Sequence, residues 1–228
     1  MGSNAGDAIT TGNYNTALGR SALRLCTEGH SNVAVGNNAL DALTDADENV
    51  AVGRNALGAV TTGGYNTAVG GYTMDSNTTG EKSTAMGYQA LSQNSTGTKH
   101  TALGYYALRQ NTTGSLNVAV GYQALYQNTT ANQNTAVGYD CMRDNQTSYS
   151  NTAVGTGALD TMTGGYFNNA FGVDSLRSLT TGVQNCAYGQ GAGALITTGN
   201  HNMTFGTSAG DATVSYTHLR AHETRAER

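Results

Sequence analysis

Near its C-terminal end the chain carries Gly206-Thr207-Ser208-Ala209-Gly210. That is the spacing of a nucleophile elbow, in which a strained strand-to-helix turn presents a serine to a histidine base oriented by an acid. Here it is a by-product of a repeat. Gly206 occupies a position that is glycine every seventeen residues, and Ser208 one that other repeats most often fill with Asn, Gln or Asp. Gly189, Gly191 and Gly193 hint at a phosphate loop but lack its full spacing and its lysine, so they read as structural glycines. His30, His100 and His201 fall in distant repeats, cannot converge on a metal or a nucleophile, and read as surface or turn residues. Asp41, Asp45, Asp47 and Glu48 form the densest acidic run; calcium takes such oxygen ligands, but the liganding spacing is missing and a solvated turn is the simpler reading. No pair of carboxylates on neighbouring repeats stands out of the kind a polysaccharide-cleaving enzyme needs. No catalytic residue, metal ligand or cofactor site is therefore assigned, and the chain reads as a non-enzyme.

One column looks chosen for contact. Tyr88, Tyr105, Tyr122 and Tyr139 recur at intervals of seventeen in four consecutive repeats, where other repeats carry Gly, Arg, Asn, Thr, Val or Gln. If the repeats stack at strand spacing, the four rings form a ladder with steps of about 4.8 Å. Exposed tyrosines are rigid and amphipathic, and suit a polysaccharide or a partner surface. The competing reading is that they shield an apolar turn from water.

What must position these residues is the repeat itself. With slot one at Asn117, units start at 15, 32, 49, 66, 83, 100, 117, 134, 151, 168, 185 and 202 without insertion or deletion, and slot five is always glycine. A fixed period whose unit cannot bury its apolar face alone marks a solenoid. Slots one to five, Asn-Thr/Val-Ala-Val/Leu-Gly, predict a short parallel strand. Alanine at slot three and Val, Leu, Met or aromatic residues at slot four imply that both of its faces are buried. Slots eight and nine are usually Ala-Leu and slot twelve is often apolar, a helical spacing closed by a glycine at slot fifteen. The expected fold is an α/β solenoid with one short parallel strand and one short helical turn per coil. An all-β parallel roll is the alternative, since helices need 8–10 Å where stacked strands allow about 4.8 Å. Val120, Ala124, Leu125, Val137, Val154 and Leu159 are expected to share one core. Alanine at slot three would leave a flat surface for close approach of further copies, as a trimer, unless the unit's own turn covers it.

Residues 1–213 form a single solenoid in this reading. Its first unit begins in mid-repeat, and 214–228 leave the pattern and resemble translated adapter sequence, so they are set aside from fold reasoning. Charged residues are only 11% of the chain, with a formal charge of −4 and no basic stripe, which disfavours nucleic acid or an anionic membrane as partner. No apolar run approaches the roughly 20 residues of a membrane span. Cys26, Cys141 and Cys186 read as small hydrophobes; the nearest two are almost three units apart, roughly 14 Å, too far for a disulfide. The slot-one asparagines read as an amide ladder that satisfies turn backbone. Asn77, Asn94, Asn111, Asn128 and Asn145 sit in N-x-S/T sequons, of consequence where the source glycosylates secreted proteins. Thr61-Thr62, Thr78-Thr79, Thr112-Thr113, Thr129-Thr130 and Thr180-Thr181 repeat in register, the basis of an ice-binding alternative.

NTAVGYQALYQNTTANQ (residues 117–133) and its neighbours resemble the Asn-Thr-Ala-Val/Leu-Gly repeats of phage tail-fibre and related bacterial surface proteins, over about residues 2 to 212. More distantly they resemble the head repeats of trimeric autotransporter adhesins. They differ from those heads in the Ala-Leu pair and the seventeen-residue period. The resemblance implies a trimeric or fibrous element of a virion or cell surface that contacts host glycans or receptors, and it assigns no individual site residue.

Overall fold

A computed structural model describes residues 2–210; the 214–228 tail lies outside them. Twelve three-residue strands run from β1 (Thr16–Leu18) to β12 (Met203–Phe205) and form one parallel sheet in sequence order. Each strand pairs with its neighbour at an offset of one repeat, as in Thr16↔Val33 and Val120↔Val137. The chain is a parallel β-solenoid of seventeen-residue coils.

Among the described residues there is no helix. Slots six to twelve form successive turns in place of the expected helical turn, and the helix-free roll is the architecture adopted. The strand spacing explains why. A coil that must stack on the next at about 4.8 Å cannot fit a helix that needs 8–10 Å. The turn region instead bonds from coil to coil, through residues held in the left-handed region at slots seven, nine and seventeen, such as Gln123 (φ 53°), Leu125 (φ 51°) and Gln133 (φ 59°). Their N–H groups point along the stack. Gln123 donates to the Tyr105 carbonyl at 3.0 Å, Leu125 to Cys141 at 3.0 Å and Gln133 to Ser115 at 3.1 Å. A left-handed leucine costs about 1–2 kcal/mol. The return is a backbone whose amides are paired above and below, which a buried turn requires. At slot five the demand is steric as well: Gly121 has φ 134°, and a Cβ there would run into the carbonyl of Gly138.

The core is a stack of identical layers. Slot-three alanines (Ala34 through Ala187), slot-eight alanines from Ala22 to Ala192 and the slot-nine Leu or Met residues from Leu23 to Leu176 are buried. Ala124, Leu125 and Leu159 lie in this core as expected. Val120, Val137 and Val154 do not: the strand turns its alanine inward and slots two and four outward, where these valines are half-buried. A strand alternates its side chains, so only one face can meet the interior, and a coil this narrow admits only alanine against its own slot-nine leucine. The slot-three surface expected to meet further copies is covered by the coil's own turn.

Slot twelve changes chemistry along the stack. Cys26, Leu43 and Val60 give way to five asparagines, Asn77, Asn94, Asn111, Asn128 and Asn145, and then to Met162, Leu179 and Ile196, all of them buried. All three cysteines are free, and burial pushes the Cys141 thiol up to about 12.

Candidate functional site

The tyrosine column forms the ladder its spacing predicts. Tyr88, Tyr105, Tyr122 and Tyr139 stack with ring centroids 5.5, 5.4 and 5.1 Å apart and interplanar angles of 20°, 4° and 7°. All four are exposed. Because each ring covers its neighbour's face, the ladder offers solvent mainly ring edges and hydroxyls; Tyr139, the most exposed at 54%, ends it. Tyr106 lies 4.0 Å from Tyr105 by ring centroid, and the hydrogen bond between their hydroxyls is the main reason Tyr105 is pushed up to about 12.

Beside the ladder Arg109 lies over the rings of Tyr106 and Tyr126, 5.0 and 5.8 Å from their centroids. Its Nε donates to Gln89 Oε1 at 3.0 Å and its Nη1 to the Tyr126 hydroxyl at 3.0 Å. In the same column as the ladder, two coils before Tyr88, Arg54 lies 5.2 Å over Tyr72. Sequence reasoning missed both, because neither pairing recurs from coil to coil as a column. Two shorter aromatic stacks follow, Tyr149–Tyr166 at 5.0 Å and Phe171–Tyr188–Phe205 at 4.7 and 5.0 Å.

These residues share one side of the molecule. Every exposed large hydrophobic residue among those described, except Leu25 and Leu195, falls in slots sixteen, seventeen, two, four or six. Slots two and four carry no charged residue from β1 to β12.

The interior holds two amide ladders. In the slot-one column Asn134 accepts from the backbone of Asn151 at 3.0 Å and donates to the Ser148 carbonyl of its own coil at 2.8 Å, so the expected ladder forms and is buried. In the slot-twelve column Asn94, Asn111 and Asn128 each donate to the preceding Oδ1 at 2.7–2.8 Å. These last are the sequon asparagines, and with their amides buried and bonded they are not glycan acceptors in the folded coil. His100 replaces an asparagine of slot one and is buried, contrary to the surface reading. Burial lowers its pKa to about 4, an effect that backbone hydrogen bonding with Gly114 and Asn117 only partly offsets. His30 and His201 are exposed.

The threonine pairs divide. Slot-thirteen hydroxyls are spent on the carbonyl of the next coil, as Thr61 to Thr78 at 3.3 Å and Thr112 to Thr129 at 3.0 Å, leaving slot fourteen as the outward column. In the acidic run Asp41 pairs with Arg24 at 2.7 Å and Asp47 accepts from the His30 amide at 2.7 Å. Among the described residues no group of three His, Cys, Asp or Glu side chains could hold a metal. A carboxylate cluster that the sequence did not announce gathers around Arg143. Its Nε is 3.0 Å from Asp144 and 3.4 Å from Asp160 on the next coil, and its Nη1 is 3.8 Å from Asp140. Burial raises the pKa of Asp140 and Asp160 from the ordinary carboxylate value, and Arg143 offsets part of the shift.

No protein-family model, curated protein or solved structure matches the chain. No helix among the described residues is long and apolar enough to cross a membrane.

Proposed function

We propose that this chain is a structural and adhesive segment of a virion or cell-surface fibre, which contacts host-surface glycans through Tyr88, Tyr105, Tyr122 and Tyr139. The observation that carries the reading is the ladder itself: four exposed, mutually stacked tyrosines fixed on a backbone bonded from coil to coil. Such a rod holds a row of hydroxyls at constant spacing, so little side-chain entropy is lost on binding a linear ligand.

Self-association belongs to the same reading, now through the outward face of the sheet. Eleven strand spacings of about 4.8 Å by six residues of about 3.3 Å give a strip of about 1,000 Å² across slots seventeen to six, uncharged in its strand slots and charged only along its margins, at Glu48, Lys82 and Lys99 on one side and Arg20 and Arg54 on the other. A standard interface buries about 800 Å² per partner, and exposed apolar patches above a few hundred Å² are uncommon on monomers. A trimer built on this face would leave the slot-six tyrosines at its rim. The ice-binding alternative draws no support from slot thirteen, whose hydroxyls are bonded to backbone.

The test replaces Tyr105 and Tyr122 together by Phe, which keeps the stack and removes two hydroxyls. Loss of binding on a glycan array with an unchanged melting temperature supports the reading; a wild-type chain that binds no glycan or cell surface overturns it.

A further inference from the structure

Resting on that reading of the tyrosine ladder as a glycan contact, we propose that the glycan is a linear acidic polysaccharide, whose carboxylate or sulfate groups are taken by Arg109 and Arg54 while its hydroxyls meet the tyrosine edges. The shape of the ligand follows from the ladder, which runs straight along the stack with one ring per coil. A chain laid on it repeats its contacts only if it too is extended and regular.

Its charge follows from the arginines. Among the described residues neither Arg54 nor Arg109 forms an ion pair, whereas Arg24, Arg143 and Arg177 do. Arg109 is held between two aromatic rings with Nε and Nη1 bonded, which fixes the plane of the guanidinium and leaves Nη2 without a protein partner. A planar guanidinium is weakly hydrated and matches a carboxylate or sulfate with two parallel donors. Arg54 lies three coils earlier, about 14 Å along the stack, in the ladder's own column. Asp75, which feels the charge of Arg109, is half-buried. The carboxylates of Asp140, Asp144 and Asp160 sit at the far end, beyond Tyr122, around Arg143. Arg109 beside Tyr105 and Arg54 before Tyr88 thus lie toward one end of the ladder, while net negative charge gathers around Arg143 at the Tyr139 end.

Single-stranded nucleic acid is also a linear polyanion, and aromatic residues beside arginines are its usual platform. Bases bind by stacking on ring faces, however, and here those faces are occupied by neighbouring tyrosines at 4–20°. Edges and hydroxyls suit a polyol.

The experiment measures binding of the full chain to polygalacturonate, alginate and hyaluronan, to methyl-esterified polygalacturonate, and to oligothymidylate. The acidic polymers should bind, and esterification should weaken binding about tenfold or more, the loss expected of one charge-assisted hydrogen bond. Arg109→Met should reproduce that loss at an unchanged melting temperature, and Arg109→Lys should recover part of it. Equal affinity for the ester overturns the acidic assignment and leaves a neutral glycan contact standing. Preference for oligothymidylate overturns it in favour of nucleic acid. Absence of binding to any polymer overturns both this assignment and the glycan reading. Should Arg109→Met unfold the chain, Arg54→Met carries the same expectation.

Discussion

The side-chain amide of Asn111 donates to Oδ1 of Asn94 in the preceding coil at 2.7 Å and to the Gly114 carbonyl of its own coil at 3.1 Å. Its own Oδ1 accepts from Asn128 at 2.7 Å. Asn94, Asn111 and Asn128 thus each close their own turn and bind both neighbours, all out of contact with water.

A network of this kind makes single and multiple replacements behave differently. Asn111→Leu matches the apolar residues that slot twelve carries elsewhere, yet it strands Asn94 Oδ1, the Asn128 amide and the Gly114 carbonyl. Unsatisfied buried groups cost about 1–3 kcal/mol each. The expected loss is about 3 kcal/mol in urea unfolding. Replacing all five slot-twelve asparagines by Leu or Val removes donors and acceptors together, leaving only the turn carbonyls, and should cost less than five times the single change. Additive losses would show that the ladder is not a coupled network.

His100 supplies the pH dependence. Its pKa is near 6.5 unfolded and about 4 folded, because burial penalises the imidazolium. The contribution is therefore fully present above pH 6.5 and is lost as pH falls toward 4, where the unfolded chain binds the proton and the folded one does not. The gap is worth about 3 kcal/mol at its acid end. His100→Asn restores the slot-one residue and should flatten this part of the profile, measured by urea midpoints between pH 7 and 4. An unchanged slope would place the titration elsewhere.

Asp160 has the opposite sign. Its folded pKa is raised, mainly by burial, so the charged form is penalised above that value and the penalty disappears as pH falls to 3.8, the unfolded value. Arg143 keeps Asp144 and Asp140 when Asp160 is neutralised. Asp160→Asn should raise the urea midpoint at pH 7 and leave it unchanged below 3.8. A lower midpoint at pH 7 would mean that the ion pair with Arg143 outweighs the cost of burial.

The repeat made most of the architecture legible. Glycine at slot five and the uniform offset of seventeen fixed a parallel solenoid, and the tyrosine spacing alone placed a ladder. Two things were hidden, for physical reasons. The apolar i, i+1, i+4 pattern of Ala39, Leu40 and Leu43 is shared by a helix and by a turn of left-handed residues, and only the stacking distance separates them. The inward residue of the strand is the small one, against the usual expectation that the larger apolar residue marks the core. Contacts down slot ten, such as Arg109 with Tyr126 or Arg143 with Asp160, join residues seventeen apart, but the slot changes chemistry from coil to coil and so does not stand out as one column.

That inversion of the strand gives the last prediction. Val137 stands on the outward face between Val120 and Val154, while Ala136 is buried against the turn. Ala136→Leu forces extra methylene groups into a full layer and should cost at least 1–3 kcal/mol. Val137→Asp leaves the new carboxylate in water within the isolated chain, and should cost under about 1 kcal/mol there. If further copies cover the face, the same aspartate would be buried without a partner at the interface, so association should fail. Sedimentation at micromolar concentration should therefore show the parent as an oligomer and Val137→Asp as a folded monomer with a near-parental unfolding midpoint when both are compared at dilution. A parent that sediments as a monomer removes the assembly, and a loss above 3 kcal/mol for Val137→Asp in the monomer would put slot four inside.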